Sequence, residues 1–132
     1  MIDPNRVEVM IPADQIAERV RQLAAQISAD YDGKPLLVVG VLKGAWILLA
    51  DLVRHLTIPV RCDFVRVTSY GMGTETSGEP RLLLDVVEPV AGAHVLVVDD
   101  ILDTGLSVAW LREHLQKKDP ASLRLCVLLD KS

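Results

Sequence analysis

The stretch that most constrains the fold is Val95-Leu96-Val97-Val98-Asp99-Asp100-Ile101-Leu102-Asp103-Thr104-Gly105-Leu106-Ser107. Four apolar residues without polar alternation read as a strand covered on both faces. They run straight into an acid pair, then a further acid, a Thr-Gly turn and a helical pattern. In open α/β folds the ligand site lies outside the carboxyl ends of the strands. A helix starting there offers unpaired backbone N–H groups to an anion. Carboxylates beside such a cradle describe a site for a phosphorylated sugar, and the acid pair is predicted to end the strand.

The rest of the chain supplies the elements that such a strand needs. Ile16, Val20, Leu23 and Ile27 form one stripe of an amphipathic helix. Asp30 to Pro35 is dense in stop and turn residues, and Leu36 to Leu42 is a second unalternating apolar run. Lys43-Gly44 follows it. Ala45, Leu48, Leu49, Leu52, Val53 and Leu56 make the broad face of another helix, with Pro59 just beyond. Val60 to Thr68 reads as a strand, Arg81 to Val87 as a short one, and Pro89 to His94 as a turn. Leu106, Trp110, Leu111 and Leu115 mark a helix stopped near Lys117 to Pro120, and Ser122 to Leu129 is a last strand. This alternation predicts an α/β fold: a central, mostly parallel twisted sheet flanked by helices, with right-handed crossovers.

At 132 residues the chain is expected to be a single domain, and half of its residues are apolar, enough for a packed core. Its formal charge of -4 argues against nucleic acid as a partner, and aromatics at 4% are too few for a base-stacking platform. No apolar run approaches the ~20 residues of a membrane span. The N-terminus has no basic segment followed by an apolar one, so a cytoplasmic location is expected. Cys62 and Cys126 form no Cys-x-x-Cys pair and are expected to be buried, reduced thiols. Trp46 and Trp110 are expected in the core, and His55 and His114 near helix C-termini. Residues 69–80 are rich in Gly, Ser and Thr and read as a long flexible loop.

The run ending in Asp99-Asp100-Ile101-Leu102-Asp103-Thr104-Gly105 resembles the phosphoribosyl pyrophosphate (PRPP) signature of the type I phosphoribosyltransferases, and among them the hypoxanthine-guanine branch. The resemblance implies a Rossmann-like core and transfer of a 5-phosphoribosyl group from PRPP to a 6-oxopurine base, hypoxanthine or guanine. Asp99 and Asp100 would contact the ribose hydroxyls and Mg²⁺. Asp103 would be the catalytic acid/base at purine N7; a helix N-cap is its plainer role. Thr104, Gly105, Leu106 and Ser107 would bind the 5′-phosphate, and Lys43-Gly44 the pyrophosphate. Ser69 and Tyr70 would open a catalytic loop that closes over PRPP and excludes water. Lys131 would hydrogen-bond the purine 6-oxo group. The resemblance further implies a homodimer or homotetramer.

Family members continue past this lysine into a hood that completes the purine pocket, whereas Ser132 ends the sequence here. Either the chain is a fragment, or its base pocket is open, or a partner chain completes it; PRPP and Mg²⁺ binding are expected to persist, and base affinity is the property put at risk. The alternative is a PRPP-binding regulatory module with little catalysis, against which Asp103 speaks. A phosphorelay receiver is disfavoured because its acid pair follows the first strand. A phosphatase needs Asp-x-Asp, and the spacing here is Asp-Asp-x-x-Asp.

Overall fold

The computed structural model describes residues 13–42, 44–67, 81–102 and 106–130. The order is α1 (Ala13–Asp30), β1 (Leu36–Val41), α2 (Trp46–His55), β2 (Val60–Val67), β3 (Leu82–Leu84), β4 (His94–Leu102), α3 (Leu106–Gln116) and β5 (Ser122–Asp130). The five strands form one sheet in the order β3-β2-β1-β4-β5. Only β3 runs antiparallel, pairing with Arg66 and Val67 at the end of β2. The mostly parallel sheet and its flanking helices follow the sequence pattern.

Side-chain alternation divides the core into two layers. Leu36 and Val38 of β1 and Leu96 and Val98 of β4 pack with Val20, Ala24 and Ile27 of α1 and Leu48, Leu49 and Leu52 of α2. Leu37, Val39, Val95 and Val97 point the other way, onto Leu111 and Leu115 of α3. The uninterrupted apolar runs are thus explained by a sheet covered on both sides. Burying each such Leu or Val contributes about 1.5–3 kcal/mol. Gly40 lets α2 sit close to β1. A Cβ there would lie 2.9 Å from Leu49 Cδ2 and 3.2 Å from the ring of Phe64, its partner on β2.

Four expectations are corrected. β4 does not end at the acid pair but continues to Leu102, because Ile101 and Leu102 still pair with Leu129 and Asp130 of β5. Cys62 is exposed while Cys126 is buried. β3 covers only the last residues of β2, so Arg61 and Cys62 lie on the sheet's margin. Trp46, the first residue of α2, is 56% exposed, and His94 opens β4 rather than lying in a turn. Among the described residues no helix is long and apolar enough to cross a membrane.

Candidate active site

The crossovers fix where the site lies. From β1 the chain passes through α2 to β2 on one side; from β4 it passes through α3 to β5 on the other. The direction of winding therefore reverses between β1 and β4, and their carboxyl ends flank the crevice where ligands bind in such sheets.

β4 outruns β1 at this crevice. The β1–β4 pairing runs from Leu36↔His94 to Gly40↔Val98. β4 then continues through Asp99, Asp100, Ile101 and Leu102 with β5 as its recorded neighbour, Asp99 opposite Val127 and Leu102 opposite Asp130. The acids thus begin one residue past the last β1 pair. Asp99 is partly buried and has a polar partner of its own. Of Asp100 the backbone alone is described, as it is of Leu106 and Ser107, the first two residues of α3. On the β1 side, Gly44 is exposed in a turn, and α2 starts with Ala45 at its N-cap, a residue without a side-chain acceptor. The first amides of α2 are left to other partners.

The structure therefore brings Gly44, Asp99, Asp100, Leu106 and Ser107 to one edge of the sheet. Lys43, Ser69, Tyr70, Asp103, Thr104, Gly105 and Lys131 lie outside the described residues. The last is preceded by Asp130, which pairs with Leu102 at the same edge.

Two carboxylates that sequence reasoning passed over tie the chain leaving β3 to the body of the fold. Asp63 on β2 accepts hydrogen bonds from the N–H groups of Val87 and Glu88 at 2.7 and 2.8 Å. Arg61 beside it pairs with Glu88 at 2.8 Å. Asp85 accepts from its neighbour Val86 N–H at 2.7 Å and meets His114 Nε2 of α3 at 3.0 Å and Lys118 Nζ at 3.5 Å. Partial burial pushes the Asp85 carboxyl up, but the Val86 amide, His114 and Lys118 together hold it below the ordinary value. His114 in turn stacks on Trp110, their ring centres 5.6 Å apart. The Val87, Glu88 and His114 partners lie 24 to 29 residues from these carboxylates in sequence, so no local pattern could announce them.

A model of the phosphoribosyl transferase domain matches residues 12–132. The hypoxanthine phosphoribosyltransferase of Haemophilus influenzae is 39% identical over 130 residues, covering 96% of this chain and 73% of that protein. The hypoxanthine-guanine phosphoribosyltransferase of Mycobacterium bovis is 40% identical over 129 residues, covering 93% of this chain and 64% of that protein. A crystal structure of a Bacillus anthracis hypoxanthine-guanine phosphoribosyltransferase, with HEPES in its active site, superposes with a TM-score of 0.88 at 40% identity, over 96% of this chain and 75% of that one. With the reversal of winding between β1 and β4 and the acids that follow it, these likenesses establish that the chain belongs to the phosphoribosyltransferase family, in its hypoxanthine-guanine branch.

Proposed function

We propose that this chain transfers the 5-phosphoribosyl group of PRPP to a 6-oxopurine, hypoxanthine or guanine, releasing pyrophosphate. The observation that carries this reading is the overhang of β4: an acid pair just past the last β1 pair, with the start of α3 four residues beyond Leu102. That edge offers anions to a ribose ring and helix amides to a phosphate.

The reaction forms a bond from purine N9 to the anomeric carbon and breaks the bond from that carbon to pyrophosphate. Positive charge grows on the ribose ring as negative charge grows on the leaving group. Asp99 and Asp100 orient the ribose hydroxyls and favour the cationic ring. Asp103 takes the proton released from N7 of the purine. Thr104 and Gly105, which precede α3 in sequence, and Leu106 and Ser107, which begin it, hold the 5′-phosphate. Lys43 and Gly44, which precede α2 in sequence, receive the pyrophosphate. Ser69 and Tyr70 begin a loop over residues 69–80 that excludes water from the anomeric carbon. Lys131 donates to the 6-oxo group, which selects against adenine.

Asp99 and Asp100 also suit Mg²⁺. Among the described residues no group of three or more His, Cys, Asp or Glu gathers. One or two carboxylates with substrate phosphate oxygens is a donor set that Mg²⁺ commonly takes. When bound, the ion neutralises and orients the pyrophosphate. Exposed Trp46, Ile47, Leu83, Leu84 and Val87 favour self-association as a homodimer or homotetramer, and a cytoplasmic location completes the reading.

The test is nucleotide formation from PRPP and Mg²⁺ with hypoxanthine, guanine and adenine in parallel. The expected result is product from the 6-oxopurines and at least about tenfold less from adenine, the discrimination of one buried hydrogen bond to a charged donor. PRPP binding without product from any base would favour a regulatory module instead. Light scattering reports the oligomer.

A further inference from the structure

On the face of the sheet that carries α1, a cavity of about 260 Å³ lies between that helix and β5, away from the crevice between β1 and β4. Its floor is apolar: Ile27, Leu96 and Cys126 are 7%, 4% and 8% exposed. Its rim is charged. Arg19 comes from α1 and Arg124 from β5. Asp30 is the one acid among the described lining residues, and its Oδ2 lies 3.5 Å from Arg124 Nη1. That distance is at the outer limit of a hydrogen bond, and both partners are exposed, so the acid offsets the two guanidinium groups only in part. Arg19 also acts on the floor: burial pushes the Cys126 thiol up, and the Arg19 charge opposes that rise.

Tyr31 lines the same cavity at 4% exposure. The guanidinium of Arg124 sits 5.9 Å from the centre of its ring, and the His94 ring meets it edge-on at 6.1 Å. Its hydroxyl is buried and has no hydrogen-bond partner among the described residues. The cavity thus joins an apolar floor to an excess of positive charge.

We infer that this cavity binds a small organic monoanion, its carboxylate between Arg19 and Arg124 and its flat apolar body on Ile27, Leu96 and Cys126. The volume lies below the roughly 300–1,000 Å³ of pockets that hold drug-sized ligands, so the occupant is smaller than a nucleotide. The site is distinct from the one proposed for PRPP. It lies along the buried part of β4, where Leu96 pairs with Arg124 and Val98 with Cys126, and it meets the acidic part only at Val127, opposite Asp99.

Benzoate, its neutral isostere benzamide and the cation benzamidine are the probes, titrated onto the full chain labelled with ¹⁵N. Benzoate is expected to shift the amides of Tyr31, Leu96, Arg124 and Cys126 and to saturate at about 0.1–5 mM, an affinity suited to so small a ligand. Benzamide is expected to bind about tenfold or more weakly, lacking the charge-assisted hydrogen bonds. Benzamidine should not bind. Arg19→Gln and Arg124→Gln, both at exposed positions, should each weaken benzoate about tenfold, the loss of one such contact. The inference is overturned if benzoate gives no shifts up to about 20 mM, if the three probes bind alike, if the shifts fall instead on Asp99 to Ser107, or if neither arginine change alters the affinity.

Discussion

From Val95 to Val98, β4 has β1 on one side and β5 on the other, and its side chains are 0–5% exposed. From Asp99 to Leu102 it keeps β5, but the β1 register has ended and carboxylates replace valines. A carboxylate in the first part would be stripped of water between two packed layers, at a cost of several kcal/mol. In the second part the same group stands where the sheet has lost a neighbour. One strand thus separates the work of holding the fold from the work of presenting charge. The strand order decides where that separation falls.

The sharpest way to break this comparison is to change each part in turn. Asp103→Asn, just past the acidic part, is expected to lower turnover about 10²–10⁴-fold, the range of a general acid/base. Its urea midpoint and PRPP affinity should stay near those of the parent. A matching loss of stability would mean that Asp103 serves the fold as a helix cap. Leu96→Ala, in the buried part, should do the reverse. Equilibrium unfolding should show a loss of about 2–5 kcal/mol, with activity per folded molecule retained.

Gly40→Ala probes the junction between the parts, since Gly40 pairs with Val98. The added methyl meets Leu49 Cδ2 and the Phe64 ring. The flexible end of Leu49 can give way, so the cost should fall at the low end of about 1–3 kcal/mol for overpacking. Urea denaturation checks it, and no measurable loss would mean that α2 is free to move off β1.

The smallest effect is electrostatic. The Asp85 carboxyl is held below its ordinary value, so its contribution is present above the unfolded value of about 3.9 and is lost as pH falls through the lower folded value. Asp85→Asn should therefore cost less than about 1 kcal/mol near neutrality, as half-exposed pairs do. The gap from the parent should close in acid. A gap that widens as pH falls would reverse the sign assigned here.

Much of the fold could be read because it is periodic. The stripe of Ile16, Val20, Leu23 and Ile27 became α1, and the two unalternating runs became the central strands β1 and β4. The end of β4 was less legible, since acids read as a strand stop when the partner strand is unknown. Val127 to Asp130 of β5 carry the ladder on past them. Cys62 looked buried by composition, yet its exposure depends on how far β3 reaches along β2, which is a tertiary fact. The ties made by Asp63 and Asp85 escaped for the same reason. The acidic run itself was legible because residue types and spacing both carry chemistry there. Positions such as Asp103, Thr104 and Lys131 rest on that spacing and on membership of the family.

Calorimetric titration of PRPP with Mg²⁺ into the chain and into Asp99→Asn/Asp100→Asn tests most directly whether the far part of β4 is the ribose site. The parent should bind at one site per chain, and the double variant should bind at least about a hundredfold more weakly, as loss of two hydrogen bonds to charged groups requires. Its thermal midpoint should fall less than that of Leu96→Ala. Equal affinity in the two proteins, with both folded, would contradict the account.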